Sequence, residues 1–96
     1  MIFSLIISTR AQRELNDSWL WYEERQKGLG DRFADEVFRS ISHILKTPER
    51  FPIRIRKFRE KPLRTFPFII IYKVIYSNKS VRILSVFHTS RSPKKK

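Results

Sequence analysis

Nine residues, Phe68 to Tyr76 (F-I-I-I-Y-K-V-I-Y), constrain this chain more than any other stretch. They are apolar or aromatic apart from Lys73, rich in β-branched side chains, and too few for a helix that spans anything, so they read as a strand. Ser77-Asn78-Lys79-Ser80 follows with turn chemistry, Asn78 being the residue suited to a left-handed conformation. Val81 to His88 then resumes the apolar pattern. A hairpin this hydrophobic cannot stand alone in water. It must be the middle of a sheet, and another layer must cover it.

The cover comes from earlier in the chain. Ile2 to Ile7 is a short strand candidate. Thr9 is placed to cap a helix, with Gln12 three residues on to complete a capping box. Ala11, Leu15, Trp19 and Tyr22 then draw one helical face at spacings of four, four and three. The helix ends by Gly28, whose freedom suits a left-handed C-terminal residue. Gly30-Asp31 allows an immediate restart, and Phe33, Val37, Ile41 and Ile44 form a second stripe, broadened by Phe38 and Leu45 and closed by Pro48. The K-G-L-G link is too short for anything but an antiparallel helix hairpin. Beyond it, in Ile53 to Arg59, apolar and basic residues alternate for several positions, so one face is cationic and the other packs inward. Pro62 and Pro67 interrupt before the apolar strand, so this part is an edge strand or a strand plus loop.

The expected fold is therefore α+β: a two-helix antiparallel hairpin packed on a small, mainly antiparallel β-sheet, in the order β-α-α-β-β-β. Ninety-six residues supply one core, so residues 1–91 are assigned to a single domain. Residues 92–96 are read as a basic tail, disordered in isolation. With no cysteine and two histidines, disulfides and thiolate metal sites are excluded, and neither a metal nor a cofactor is expected. The apolar opening is too short for a secretory leader or a membrane span, which points to a soluble cytoplasmic protein with no membrane partner.

Charge points to partners. The net value is +12, but residues 1–49 hold seven Lys/Arg against eight Asp/Glu, while residues 50–96 hold fourteen against Glu60 alone. A surface made only for solubility interleaves both signs; this half calls for a polyanion or an acidic protein.

No phosphate-cradling glycine loop or nucleophile–base pair is present: G-L-G joins two helices and lacks the strand and lysine of a P-loop. One constellation carries chemistry. If Lys61, Arg64, His88 and Arg91 converge, the cations would stabilise a phosphorane-like transition state and His88 would protonate a leaving oxygen, with Glu60 as the nearby base. That set suffices for metal-free RNA cleavage through the ribose 2′-hydroxyl. The alternative is that His88 ends a strand, the arginines are solvated or face an acidic partner, and nothing is cleaved. His43 reads as a helix-surface residue, and Trp19, Trp21 and Tyr22 as helix packing. Phe51, Phe58 and Phe66 lie among basic residues as base-stacking platforms would, although core packing is the better explanation even for these.

Taken together, W-Y-E-E-R-Q-K-G-L-G-D-R-F (Trp21 to Phe33), T-P-E-R-F-P after the second helix, Leu63-Arg64-x-Phe66-Pro67-Phe68 with Ile71-Tyr72, and the closing Val86-Phe87-His88-x-x-Arg91-x-Pro93 span nearly the whole chain. In this order they resemble the RelE/ParE toxin family of type II toxin–antitoxin modules, and within it the ParE-like and plasmid-stabilisation members. The resemblance implies a helix hairpin on an antiparallel sheet and an acidic antitoxin that wraps the toxin. It also implies one of two activities. RelE-like members cut mRNA on the ribosome, whereas ParE-like members poison DNA gyrase without chemistry of their own. Similar ribonucleases carry an arginine three residues before the strand tyrosine and end in a His–Tyr pair; here Ile69 and Thr89 occupy those places. The departure favours the gyrase poison, with Arg54, Arg56, Arg59, Arg64 and Arg91 meeting gyrase or its DNA and no small-molecule substrate. The alternative is a ribosome-dependent ribonuclease using Arg64, His88 and Arg91 with Lys61 and Glu60. A third possibility is a remnant that only binds antitoxin.

Overall fold

The apolar run is a central strand. The computed structural model describes residues 3–90, in the order β1 (Ser4–Ile7), α1 (Thr9–Arg25), α2 (Leu29–Lys46), β2 (Ile53–Ile55), β3 (Phe58–Pro62), β4 (Phe68–Ile75) and β5 (Ser80–His88). The five strands form one sheet in the order β1-β5-β4-β3-β2. Three pairings are antiparallel; β1 lies parallel to β5, which brings the first and last strands together.

Along β4, Phe68, Ile70 and Tyr72 are buried while Ile69, Ile71 and Lys73 are half-exposed, the alternation of a sheet covered on one face. The cover is the helix hairpin. Phe33, Val37, Ile41 and Ile44 of α2 are buried at helical spacing and share one core with Tyr22 of α1, the β4 triplet, and Val81, Ile83 and Val86 of β5. Phe33 and Phe68 meet at 4.8 Å between ring centroids. Phe38, expected to broaden the stripe, is 47% exposed and lines an open cleft with Leu15 and Trp19 of α1.

The hairpin turn is held by a carboxylate. Glu23 accepts from the backbone N–H of Gly28 (2.8 Å) and of Gly30 (3.0 Å), and Trp19 Nε1 donates to Asp31 at 2.9 Å. Gly28 is left-handed (φ 89) but caps the start of α2, since α1 has already ended at Arg25. Gly30 allows close approach: a Cβ there would stand 2.6 Å from the carbonyl oxygen of Trp19.

Three local expectations are corrected. Helix α1 is capped by Ser8 instead of Thr9; the Ser8 hydroxyl accepts from Ala11 N–H at 3.0 Å and donates to the Leu84 carbonyl at 3.0 Å. The pairing of β1 with β5 sets that position one residue earlier than the sequence pattern. The alternating segment after Phe51 is two strands, because Arg56 takes a left-handed conformation (φ 54) and turns β2 back on β3. In the β4–β5 turn the left-handed residue is Lys79 (φ 51), while the Asn78 side chain accepts from the Ser80 hydroxyl. The basic tail and Arg91 lie outside the described residues.

Tyr72 ties the sheet to the loop after α2: its buried hydroxyl donates to the Pro48 carbonyl at 2.6 Å. Burial disfavours the phenolate and pushes this phenol up to about 12, against a small opposing pull from Arg59.

Two predictions follow from these contacts. Gly30→Ala should lower stability by about 1–3 kcal/mol, as overpacked helix crossings do; thermal unfolding measures it, and an unchanged midpoint would mean that the helices part freely. The Tyr72 contribution is intact below pH 10, since the unfolded tyrosine ionises first, and erodes between pH 10 and about 12 by up to about 1.4 kcal/mol per pH unit. Tyr72→Phe should flatten that alkaline loss while forfeiting about 1 kcal/mol of hydrogen bonding at neutral pH.

Candidate functional site

Register decides which basic side chains can act together. Residues directly opposite in an antiparallel pair share a face of the sheet. Lys61 is opposite Ile70 and Arg59 opposite Tyr72, so both stand on the helix side; Glu60 is opposite Ile71, on the other side. There Glu60 meets Arg54 at 3.6 Å. The one carboxylate of the basic half and its neighbour Lys61 thus face opposite solvents. Arg56 is exposed in the β2–β3 turn. Arg59 donates to the carbonyls of Glu49 (3.1 Å) and Phe51 (2.7 Å), which commits its guanidinium to the loop after α2.

Lys61 and Arg64 come together. They line a cleft of about 290 Å³ between α2 and the β3–β4 loop, with Glu36, Arg39, Ser40, His43 and Thr65 on its other walls. Positions 36, 39, 40 and 43 recur at helical spacing and give α2 a polar stripe that flanks its apolar one. Glu36 accepts from the backbone N–H of Arg64 (2.5 Å) and of Thr65 (2.9 Å). Desolvation raises its carboxyl, but these hydrogen bonds and the charge of Arg39 outweigh it and hold the group below the usual value of 4.5.

His88 is elsewhere. It pairs with Phe68 across β4 and β5, packs edge-on against that ring at 4.8 Å, and its Nδ1 accepts from Ser90 N–H at 3.0 Å. That bond leaves the proton of the neutral ring on Nε2. His88 lines a smaller cleft of about 190 Å³ with Glu14, Asp17 and Ser18 of α1. Glu14 is structural there: it accepts from Val86 N–H (2.9 Å) and the Ser85 hydroxyl (2.7 Å). Of the residues that line this cleft, the ionisable neighbours of His88 are carboxylates. Arg91 falls beyond the described residues.

The aromatic side chains sort clearly. Phe66 packs edge-on against Tyr22 (5.0 Å) and Phe33 (5.4 Å) and belongs to the core. Phe51 is half-buried, with the Lys61 ammonium 5.0 Å from its ring centroid. Trp21 carries the Arg25 guanidinium at 3.6 Å. Sequence reasoning missed Glu14, Glu23, Glu36, Arg39 and the position of His43, because none belongs to a recognisable catalytic pattern. Only the helical spacing of 36, 39, 40 and 43 could have grouped the last of these. Among the described residues no cluster of His, Cys, Asp or Glu has the geometry to hold a metal ion, and no helix is long and apolar enough to cross a membrane.

Residues 5–93 match the family model described as ParE toxin of type II toxin–antitoxin system, parDE. The chain belongs to the ParE toxin family. The fold agrees. The toxin-like structure in a chromosomal ParDE system from P. aeruginosa superposes with a TM-score of 0.79 at 15% identity, covering 91% of this chain and 96% of that one. A chain of the intact E. coli RelBE toxin–antitoxin complex gives 0.71 at 21%, over 93% and 99%. One from the RelBE2 complex of Mycobacterium tuberculosis gives 0.65 at 20%, over 92% and 99%. No curated protein matches the chain. A ParE-family toxin with this arrangement can present cations from one cleft and a histidine from another, on a sheet whose register keeps Glu60 from both.

The Glu36 clamp has a pH signature. Its folded carboxyl is depressed, so its contribution to stability is full above pH 4.5 and is lost as pH falls through the folded value. Glu36→Gln should therefore be less stable than the parent at pH 7, with the two unfolding midpoints converging toward acid; a constant gap would show that the charge on Glu36 is immaterial.

Proposed function

We propose that this toxin acts by binding DNA gyrase with its cleaved DNA, blocking religation, and performs no bond-breaking of its own. A cognate acidic antitoxin holds it inactive in the cytoplasm. The observation that carries this reading is the separation of the groups a ribonuclease would need. Lys61 and Arg64 line one cleft, His88 lines another beside two carboxylates, and Glu60 is on the far face of the sheet. A phosphate bound by Lys61 and Arg64 lies in a different cleft from the candidate general acid, and one drawn toward His88 meets the field of Glu14 and Asp17. A binding poison needs none of this convergence.

The antitoxin rests on two supports. The structural relatives come from ParDE and RelBE toxin–antitoxin systems, and a net charge of +12 gives an acidic segment a surface to neutralise. We assign residues 1–91 as the working domain, with 92–96 as a basic extension. Arg54, Arg56, Arg64 and Arg91 are assigned to contacts with gyrase or its DNA. Arg59 contributes indirectly, since its guanidinium bonds loop carbonyls.

The deciding experiment mixes the purified protein with gyrase, supercoiled plasmid and ATP, and scores linear DNA after detergent and protease. Accumulated linear plasmid is expected. Unimpaired supercoiling with no trapped cleavage at excess protein would refute the gyrase reading, and programmed ribosomes would become the substrate to assay. Loss of both activities with antitoxin binding retained would identify an inactive remnant. His88→Ala should leave gyrase poisoning within about twofold of the parent, whereas a general acid contributes about 10²–10⁴-fold. Pairwise neutralisation of Arg54 and Arg56 should weaken poisoning gradually and reduce its salt dependence.

A further inference from the structure

The cleft between α2 and the β3–β4 loop has more on its walls than the sequence pattern suggested. The helix supplies Arg39 and His43; β3 and the loop supply Lys61 and Arg64. Among the described residues no ion pair engages Arg39, Lys61 or Arg64. Glu36 is the one carboxylate on the lining, and its Oε2 is already occupied by the amides of Arg64 and Thr65. Three cationic side chains and an imidazole therefore face about 290 Å³ of space with one partly neutralised negative charge among them. That volume lies at the foot of the range of about 300–1,000 Å³ found for small-molecule pockets, so it admits a single phosphate and part of its sugar. Donors also stand on both walls. A tetrahedral phosphodiester presents oxygens to both at once, whereas a planar side-chain carboxylate engages one fork. Ser40, buried on the helix wall, adds a hydroxyl.

We propose that Arg39, His43, Lys61 and Arg64 form a cradle for one backbone phosphate of a nucleic-acid strand, with α2 supplying half of its donors. Phosphate contacts of this kind position a strand without reading its bases, so the cradle fixes where the nucleic acid lies against the helix hairpin. The assignment stands independently of gyrase. It holds for any phosphodiester strand, and the assay below contains no gyrase, so failure of one leaves the other untouched.

The test is a titration of the ¹⁵N-labelled full chain with tetrathymidylate, followed by backbone amide shifts at fixed ionic strength. Saturating shifts are expected at Ser40, His43, Arg64 and Thr65. Arg39→Gln and His43→Gln should each weaken binding, the former about tenfold, as loss of a charge-assisted hydrogen bond does. Arg82→Gln, exposed on the other side of the sheet opposite Lys73, should change affinity less than about twofold by contrast. The amide spectrum of each variant reports its fold, and Lys61→Gln supplies an independent change on the opposite wall. Equal losses from Arg82→Gln and Arg39→Gln, or shifts spread evenly over the basic half, would reduce the binding to a diffuse charge effect and overturn the cradle. Saturation of the same amides by inorganic phosphate but not by tetrathymidylate would overturn the backbone assignment. Binding of tetraglutamate as tight as tetrathymidylate would overturn the phosphate assignment.

Discussion

The burial of β4 beneath α2 is the constraint from which the other features follow. Phe68, Ile70 and Tyr72 cannot be left in water, and Phe33, Val37, Ile41 and Ile44 are the apolar surface that covers them. Each buried side chain of this size contributes about 1.5–3 kcal/mol, which exceeds any single surface ion pair in the molecule. Once α2 is seated on β4, the edge that flanks its apolar face is turned toward β3, and the polar stripe there becomes the wall of a cleft. The functional surface is a consequence of the core.

Carboxylates then fasten what burial brings together. Glu23 closes the helix hairpin, Glu14 joins α1 to β5, and Glu36 joins α2 to the β3–β4 loop. In each case a glutamate on a helix accepts from main-chain N–H groups that a turn or sheet irregularity leaves without a backbone partner; such groups are costly to leave unsatisfied. Two of these three glutamates hold loops and the third holds strand β5.

The division of the ionisable groups follows from the two-residue period of the strands. Glu60 and Lys61 are adjacent in sequence and lie on opposite faces of a sheet; His88 belongs to the α1 side of the helix layer and Lys61 to the α2 side. Glu60, Lys61, Arg64 and His88 are therefore distributed by the fold over three surfaces.

Much of the architecture was legible in the residues alone. Uninterrupted apolar character marked β4, helical spacing marked both helices, the short K-G-L-G link required them to be antiparallel, and the motifs from Trp21 to Pro93 matched a toxin family. These are local or periodic properties, and local rules suffice to recognise them. Tertiary structure decided the rest. The parallel seat of β1 against β5, the cap at Ser8, the left-handed Arg56 that splits one strand into two and the placement of Lys79 depend on pairings between distant segments. So does the company each charged side chain keeps: Arg59 with loop carbonyls, Glu60 with Arg54, His88 with Glu14 and Asp17, and Arg39 and His43 with Lys61 and Arg64. The sequence determined which faces must be buried, because hydrophobicity is carried by each residue separately. Which charges meet was settled only by register and helix docking, because a one-residue shift in either reverses the face on which a side chain stands.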